Sequence, residues 1–371
     1  MLAGKVNIVI DGAWGSTGKG KLVGILARKH KPELAVCNFM TNAGHTWVPD
    51  NGTAPVMVQQ LPTSLINPTT QLHIAASAAI DLKVWNGELD QFDVPYGVRH
   101  RLSVDPRAMV ITKEDKEAEA ASLHRISSTV KGCGAAVASK VMRKASLVQD
   151  YPNEFHKIID TEKVVHVAIG AKWKVLFETA QGFDLSLNHG TRYPYCTSRD
   201  ITVAQALNDA CVPPKAVGHV YASLRANPIR VGNAYEFTKS TGADGWSGPF
   251  YPDQRELSWE EVTGLAGSDR ALLERTTVTN KVRRIFTFSH QQLDRFIKVN
   301  APDFLFINFV NYIDARCFGY NVVPEDVSAF MKIFPRVEAF VKSVEEHGVP
   351  VAYLGTGPKH GHLVDFGIDP V

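Results

Sequence analysis

Apolar residues along this chain keep two rhythms, and each predicts an element. Val6-Asn7-Ile8-Val9-Ile10-Asp11 is a short run rich in β-branched side chains, the pattern of a buried strand. Gly12 to Gly20 follows with four glycines, and Lys21 to His30 then sets Leu22, Ile25 and Leu26 on one side of a helix. The C-terminal region repeats this order. Val337, Phe340, Val341 and Val344 fall at helical spacing, with Gly348 placed to cap that helix. Val349 to Leu354 reads as a strand, and Gly355-Thr356-Gly357-Pro358 as a second tight turn. Lys113 to Leu123 predicts a polar helix, Ser258-x-x-Glu261 a capping box, and Asp303 to Ile313 a third hydrophobic strand.

Strand, glycine-rich turn and helix together predict an α/β fold: a central, mostly parallel β-sheet flanked by helices. Ligands of such sheets sit beyond the carboxyl ends of the strands, so both turns are expected to border one crevice. Tyr235 to Arg255, with three glycines and two prolines, reads as a surface excursion. No repeat, low-complexity tract or linker divides the chain, and one domain over 1–371 is expected.

Composition changes this picture mainly by exclusion. With 371 residues and 44% hydrophobic side chains, the chain can bury a large core. Forty basic and 38 acidic residues leave a net charge of +2. That gives no electrostatic grip on bulk nucleic acid or an anionic membrane, so neither is expected as a partner. Cys37, Cys133, Cys196, Cys211 and Cys317 lack zinc spacing and suit free thiols in a reducing compartment. No apolar stretch approaches the roughly 20 residues that span a bilayer, and no signal peptide is visible. A cytoplasmic location is expected.

The chemistry begins at Gly15-Ser16-Thr17-Gly18-Lys19-Gly20-Lys21, between the first strand and its helix. Glycines let backbone N–H groups approach phosphate oxygens, the helix N-terminus adds positive potential, and Lys19 or Lys21 can neutralise charge. Against G-x-x-x-x-G-K-[ST] the fit stops at Leu22, where the magnesium-binding hydroxyl is missing. A phosphate site is expected, but not a standard P-loop kinase or GTPase. A second polar cluster, Asn42-Ala43-Gly44-His45-Thr46, follows an apolar stretch.

Taken together, the two clusters resemble the adenylosuccinate synthetase family. Ser128-Thr129-Val130-Lys131-Gly132-Cys133-Gly134 with Arg143, Glu178-Thr179-Ala180-Gln181-Gly182, His189 to Ser198, Thr276 to Arg284 and Thr356-Gly357-Pro358 resemble further family motifs in the same order. The resemblance implies a ligase. A nucleoside triphosphate phosphorylates O6 of a 6-oxopurine monophosphate, and the amino group of L-aspartate then displaces phosphate.

By the same resemblance, Gly15, Ser16, Thr17, Gly18, Lys19, Gly20 and Lys21 cradle the triphosphate together with Gly44, His45, Thr46, Arg283, Asn308, Val310, Gly355, Thr356 and Gly357. Ser16, Asn42, Ser128, Thr129, Arg143, Gln181 and Thr197 match the contacts to the purine nucleotide, with Arg143 arriving from the second subunit of a homodimer. Val278, Thr279, Lys281 and Arg283 match the aspartate loop. Ser16, His45 and Gln181 take the catalytic positions, and Ser16 and the Gly44 carbonyl those that hold Mg2+.

Three departures from the family pattern refine the substrate. Ser16 stands where the family carries an aspartate that takes the N1 proton, and a serine is no carboxylate base. The short hydroxyl leaves room for a 2-amino group and resembles the phage branch, which joins L-aspartate to dGMP with ATP or dATP to make a 2-aminoadenine DNA precursor. The guanine-reading T-K-x-D appears as Ile307-Asn308-Phe309-Val310, without its acceptor, so ATP or dATP is expected over GTP. Lys281 replaces a forked arginine, which eases acceptance of deoxyribose. The alternatives are an ordinary synthetase using IMP and GTP, and a purine-nucleotide-binding protein without catalysis.

Overall fold

The computed structural model describes residues 5–122, 129–232, 247–276 and 280–369. Its centre is a nine-stranded sheet. From one edge to the other the strands run Leu363–Asp365, Val351–Gly355, Phe304–Asn308, Val217–Arg225, Lys5–Asp11, Lys174–Glu178, Leu34–Cys37, Gln71–Ile74 and Leu102–Val104. Every pairing is parallel except that of the edge strand Leu363–Asp365. The expected α/β class is therefore the observed one. The sheet is covered on both faces, which is why its strands read as continuous apolar runs.

Alternation along the first strand serves both layers. Val9 packs with Leu22, Val23, Ile25 and Leu26 of the helix Lys19–His30. Ile10 turns to the other face, against Leu293 and Phe296 of the helix His290–Asn300 and Val337, Val341 and Val344 of the helix Pro335–Glu345.

The parallel strands finish on one side of the sheet, their ends staggered by about two residues where Lys5–Asp11 meets its neighbours: Glu178 pairs with Val9, and Asp11 with Ser223. Asp11, Glu178, Arg225, Asn308 and Gly355 are each the last residue of a strand. A row of polar groups thus lines one edge, the place where parallel sheets receive ligands.

The helix Lys19–His30 also holds the short strand His45–Trp47 at contact distance. A Cβ on Gly20 would fall 2.6 Å from the Thr46 nitrogen and 2.7 Å from its oxygen. Gly20→Ala is therefore expected to prise helix and strand apart and to cost about 1–3 kcal/mol. Thermal unfolding should show a lowered midpoint; an unchanged midpoint would mean that the contact yields freely.

Several sequence expectations need correction. The predicted strand Asp303 to Ile313 stops at Asn308, because Phe309 turns left-handed (φ 63°) and Val310–Tyr312 forms a 3₁₀ turn. The C-terminal helix ends at Glu345, two residues earlier than a glycine cap at 348 requires, and Gly348 serves the following turn at φ 82°. The excursion is only partly superficial: Tyr251 is buried against Trp14 and Phe286, with its hydroxyl on Asp184. Residues 233–246 of that stretch lie outside the described residues. The capping box is present, Ser258 and Glu261 opening the helix Trp259–Ala266.

Candidate active site

The turn after the first strand is built around Asp11. Its fully buried carboxylate accepts the N–H groups of Ala13 (2.9 Å) and Gly15 (3.2 Å), the Thr17 hydroxyl (2.6 Å) and the Lys19 ammonium (3.3 Å). Four donors on one carboxylate fix the loop's path and leave the acid no spare lone pair for a base role. Lys19 also donates to the Gln181 carbonyl at 2.6 Å. Gly182 is obligatory here, since a Cβ would lie 2.3 Å from the Gly15 nitrogen. That close approach is what the Gln181-Gly182 motif provides.

Above the loop lie two adjoining cavities of about 260 and 160 Å³ that share Trp14, Asn42, Thr129, Gln181, Leu185, Arg230 and Val231. The larger is lined by residues 14–20, Asn42 to Thr46, Lys281 and Arg283, and the smaller reaches Thr197. Gln181 Nε2 donates to Asn42 Oδ1 at 2.9 Å, which fixes both amides on the wall. The site residues expected at 15–20, 42, 44–46, 129, 181, 197, 281 and 283 are thus brought together.

His45 forms part of this wall, buried and stacked on Phe39 with ring centroids 4.1 Å apart. Its Nδ1 faces Glu178 Oε1 at 2.7 Å. Glu178 also accepts the hydroxyl and N–H of Thr63, so the acid is held in place beside Nδ1 and Nε2 is the ring nitrogen left for another partner.

Ser16 stands at the loop's tip, left-handed at φ 56°. Arg283 Nη1 donates to its hydroxyl at 2.8 Å, and Arg225 Nη1 to its carbonyl at 3.1 Å. Glu274 lies between the two guanidiniums. Burial alone would raise its pKa, but Arg225, Arg283 and the Tyr312 hydroxyl hold it below the ordinary carboxylate value. The neighbouring arginine turns the other way: Arg284 is bound to Glu256 and the Gly248 carbonyl. Of the two, Arg283 faces the cavity.

Some expected residues stand elsewhere. Lys21 does not enter the cavity. Its ammonium donates to the carbonyls of Gly357 (2.8 Å) and His362 (2.5 Å), and burial pushes its pKa down to about 7. Val310 is fully buried in the core, so its side chain is removed from any nucleotide contact. Asn308 closes on the loop, its side chain filling the space beside Gly18 and Gly355 and its Oδ1 accepting the Phe309 N–H. Thr356 is buried and donates to the Tyr320 carbonyl. Arg143 is exposed at φ 62° beside exposed Val141 and Met142, outside both cavities. Ser128, Val278 and Thr279 lie outside the described residues.

The donor set for Mg2+ is sparse. Among the described residues no cluster of three His, Cys, Asp or Glu side chains could hold a metal. Gly44 lines the cavity, and a backbone carbonyl there would suit an ion held mostly by phosphate oxygens. The Ser16 hydroxyl already accepts one hydrogen bond from the Arg283 guanidinium, a cation beside which a metal ion would be disfavoured.

Sequence reasoning missed Asp11, Glu178, Arg225, Arg230 and Glu274 as parts of the site. Asp11 and Glu178 had a signal: an acid closing an apolar run immediately before a glycine-containing turn. Arg230, buried with its guanidinium 4.6 Å over the Trp14 ring, had none.

Comparisons with known proteins agree with the geometry. The sequence model of the adenylosuccinate synthetase family matches residues 8–157 and 148–316. The N6-succino-2-amino-2'-deoxyadenylate synthase of Salmonella phage PMBT28 is 33% identical over 375 residues, covering 95% of each chain. The adenylosuccinate synthetase of Pyrococcus horikoshii is 32% identical over 363 residues, covering 96% of this chain and 97% of its own. Among solved structures, the succinoaminodeoxyadenylate synthetase of cyanophage S-2L, bound to dGMP and to dATP as energy donor, aligns with a TM-score of 0.80 at 29% identity. That alignment covers 98% of this chain and 96% of the cyanophage protein.

Proposed function

Because the chain belongs to the adenylosuccinate synthetase family, we propose that it is the dGMP-using ligase of that family. It would join L-aspartate to dGMP at the expense of ATP or dATP, to give 2-amino-2'-deoxyadenylosuccinate, a precursor of 2-aminoadenine DNA. Overall identity does not choose between the two activities, since phage and archaeal relatives stand at 33% and 32%. The observation that carries the choice is Ser16: a neutral hydroxyl at the loop's tip, with Arg283 on it, where a carboxylate serves the IMP enzymes.

In this reading the Gly15–Gly20 backbone and Lys19 take the triphosphate, helped by Arg283. His45, as an imidazolium with Nδ1–H on Glu178, would donate its Nε2–H to O6 and stabilise charge as that oxygen is phosphorylated. Asn42, Thr129, Gln181 and Thr197 bind the purine nucleotide, and Lys281 receives a carboxylate of L-aspartate. Mg2+, held by the Gly44 carbonyl and phosphate oxygens, would offset charge during transfer.

Residues 1–371 act as one unit, and two copies form the working enzyme in the cytoplasm of the host cell. Exposed Arg143, with Val141 and Met142 beside it, supports that arrangement: an arginine outside its own cavities is free to serve a neighbour's.

Incubation with dGMP, L-aspartate, magnesium and ATP tests the reading directly. A product with the mass of 2-amino-2'-deoxyadenylosuccinate, formed faster with ATP than with GTP, is expected. Turnover of IMP with dGMP left untouched would end it.

A further inference from the structure

Glu274 joins three parts of the site that are distant in sequence. Its carboxylate accepts Arg225 Nη2 at 2.5 Å and Nη1 at 3.3 Å, accepts the Tyr312 hydroxyl at 2.9 Å, and stands 3.8 Å from Arg283 Nε. Its own carbonyl receives the Arg283 N–H at 3.0 Å, pairing the two residues at the base of the hairpin. Arg225 is fully buried, with its guanidinium 3.9 Å from the centre of the Phe309 ring. A guanidinium so placed needs a counter-charge, and Glu274 supplies it.

Charge compensation explains the burial of Arg225 but not where the two arginines point. Both reach Ser16, one at its carbonyl and one at its hydroxyl. Ser16 is the non-glycine residue of this loop with positive φ, a conformation that a β-carbon resists unless its surroundings hold it.

We infer that Glu274 is a positioning residue for purine selectivity: by fixing Arg225 and Arg283 it sets where the Ser16 hydroxyl stands, and so how the site tells a 2-amino purine from one without it. This rests on the dGMP reading given above. Without the carboxylate, the partners of the Arg283 guanidinium among the described residues are the Arg275 carbonyl and Ser16. The guanidinium then swings, and the space beside the purine's C2 loosens.

The test is the ratio of kcat/KM for dGMP to that for IMP, measured on the full chain. In Glu274→Gln the ratio should fall about tenfold, the scale of one repositioned polar contact. A merely structural role would lower both rates together and leave the ratio in place. In a Ser16→Ala background, Glu274→Gln should no longer change the ratio, because the two residues act in series. An unchanged ratio in Glu274→Gln, or an equal effect with and without Ser16, overturns the inference.

If Glu274→Gln does not fold, Tyr312→Phe decides. It removes one hydrogen bond to the carboxylate and should lower the ratio about threefold; no change there is equally fatal. The wild-type ratio judges the dGMP reading, and its change on mutation judges Glu274, so either can fail alone.

Discussion

Replacing His45 with asparagine is expected to lower kcat for dGMP by about 10³-fold, the usual worth of a positioned acid–base group, with its KM held within about threefold. The ring is fixed on both sides, by Phe39 against its face and Glu178 on Nδ1, so the nitrogen that serves the substrate has one address. Asparagine keeps a polar group in the wall but cannot pass a proton or carry charge across a ring. The loss should therefore fall on the phosphorylated state rather than on binding. Steady-state rates with mass identification of the product settle the matter. A kcat within a factor of a few of wild type would mean that O6 departs without the imidazole.

A second large effect is expected from Ser16→Asp: kcat/KM for dGMP should drop about 100-fold, and slow turnover of IMP should emerge. Aspartate tolerates the left-handed backbone found there better than most residues, so the loop should keep its shape. Its carboxylate would form an ion pair with Arg283, now 2.8 Å from the serine hydroxyl, and project toward the 2-amino group. Comparison of dGMP and IMP kinetics in the variant is the readout. Undiminished dGMP turnover would remove steric room as the reason for serine.

How far the sequence revealed this site depends on how local each determinant is. The strand ends were legible because parallel strands, buried on both faces, write themselves as apolar runs broken by glycine. The Asn42 to Thr46 cluster and Gln181 were legible through resemblance alone, since nothing in their spacing says that they meet. Lys21 was misplaced for a geometric reason that was available. At 3.6 residues per turn, side chains two residues apart on a helix point about 160° away from each other, so the Lys19 and Lys21 ammonium groups take different partners. Val310, expected to offer only its backbone, has its side chain in the core, because Phe309 before it turns left-handed. Glu274 and Arg225 were invisible: each is an ordinary charged residue until the fold sets them together.

The position of the first strand carries a cost in time. Lys5–Asp11 leaves the ribosome well before its two neighbours in the sheet, Lys174–Glu178 and Val217–Arg225. At 5–20 residues per second, the segment waits roughly 10–40 s for them to be synthesised. Until then the glycine turn has nothing to lie against, and an apolar run with two unpaired edges is exposed to whatever else the cell offers. The earliest-made part of the catalytic centre is thus among the last to be assembled, and neither half of the polypeptide holds a complete one.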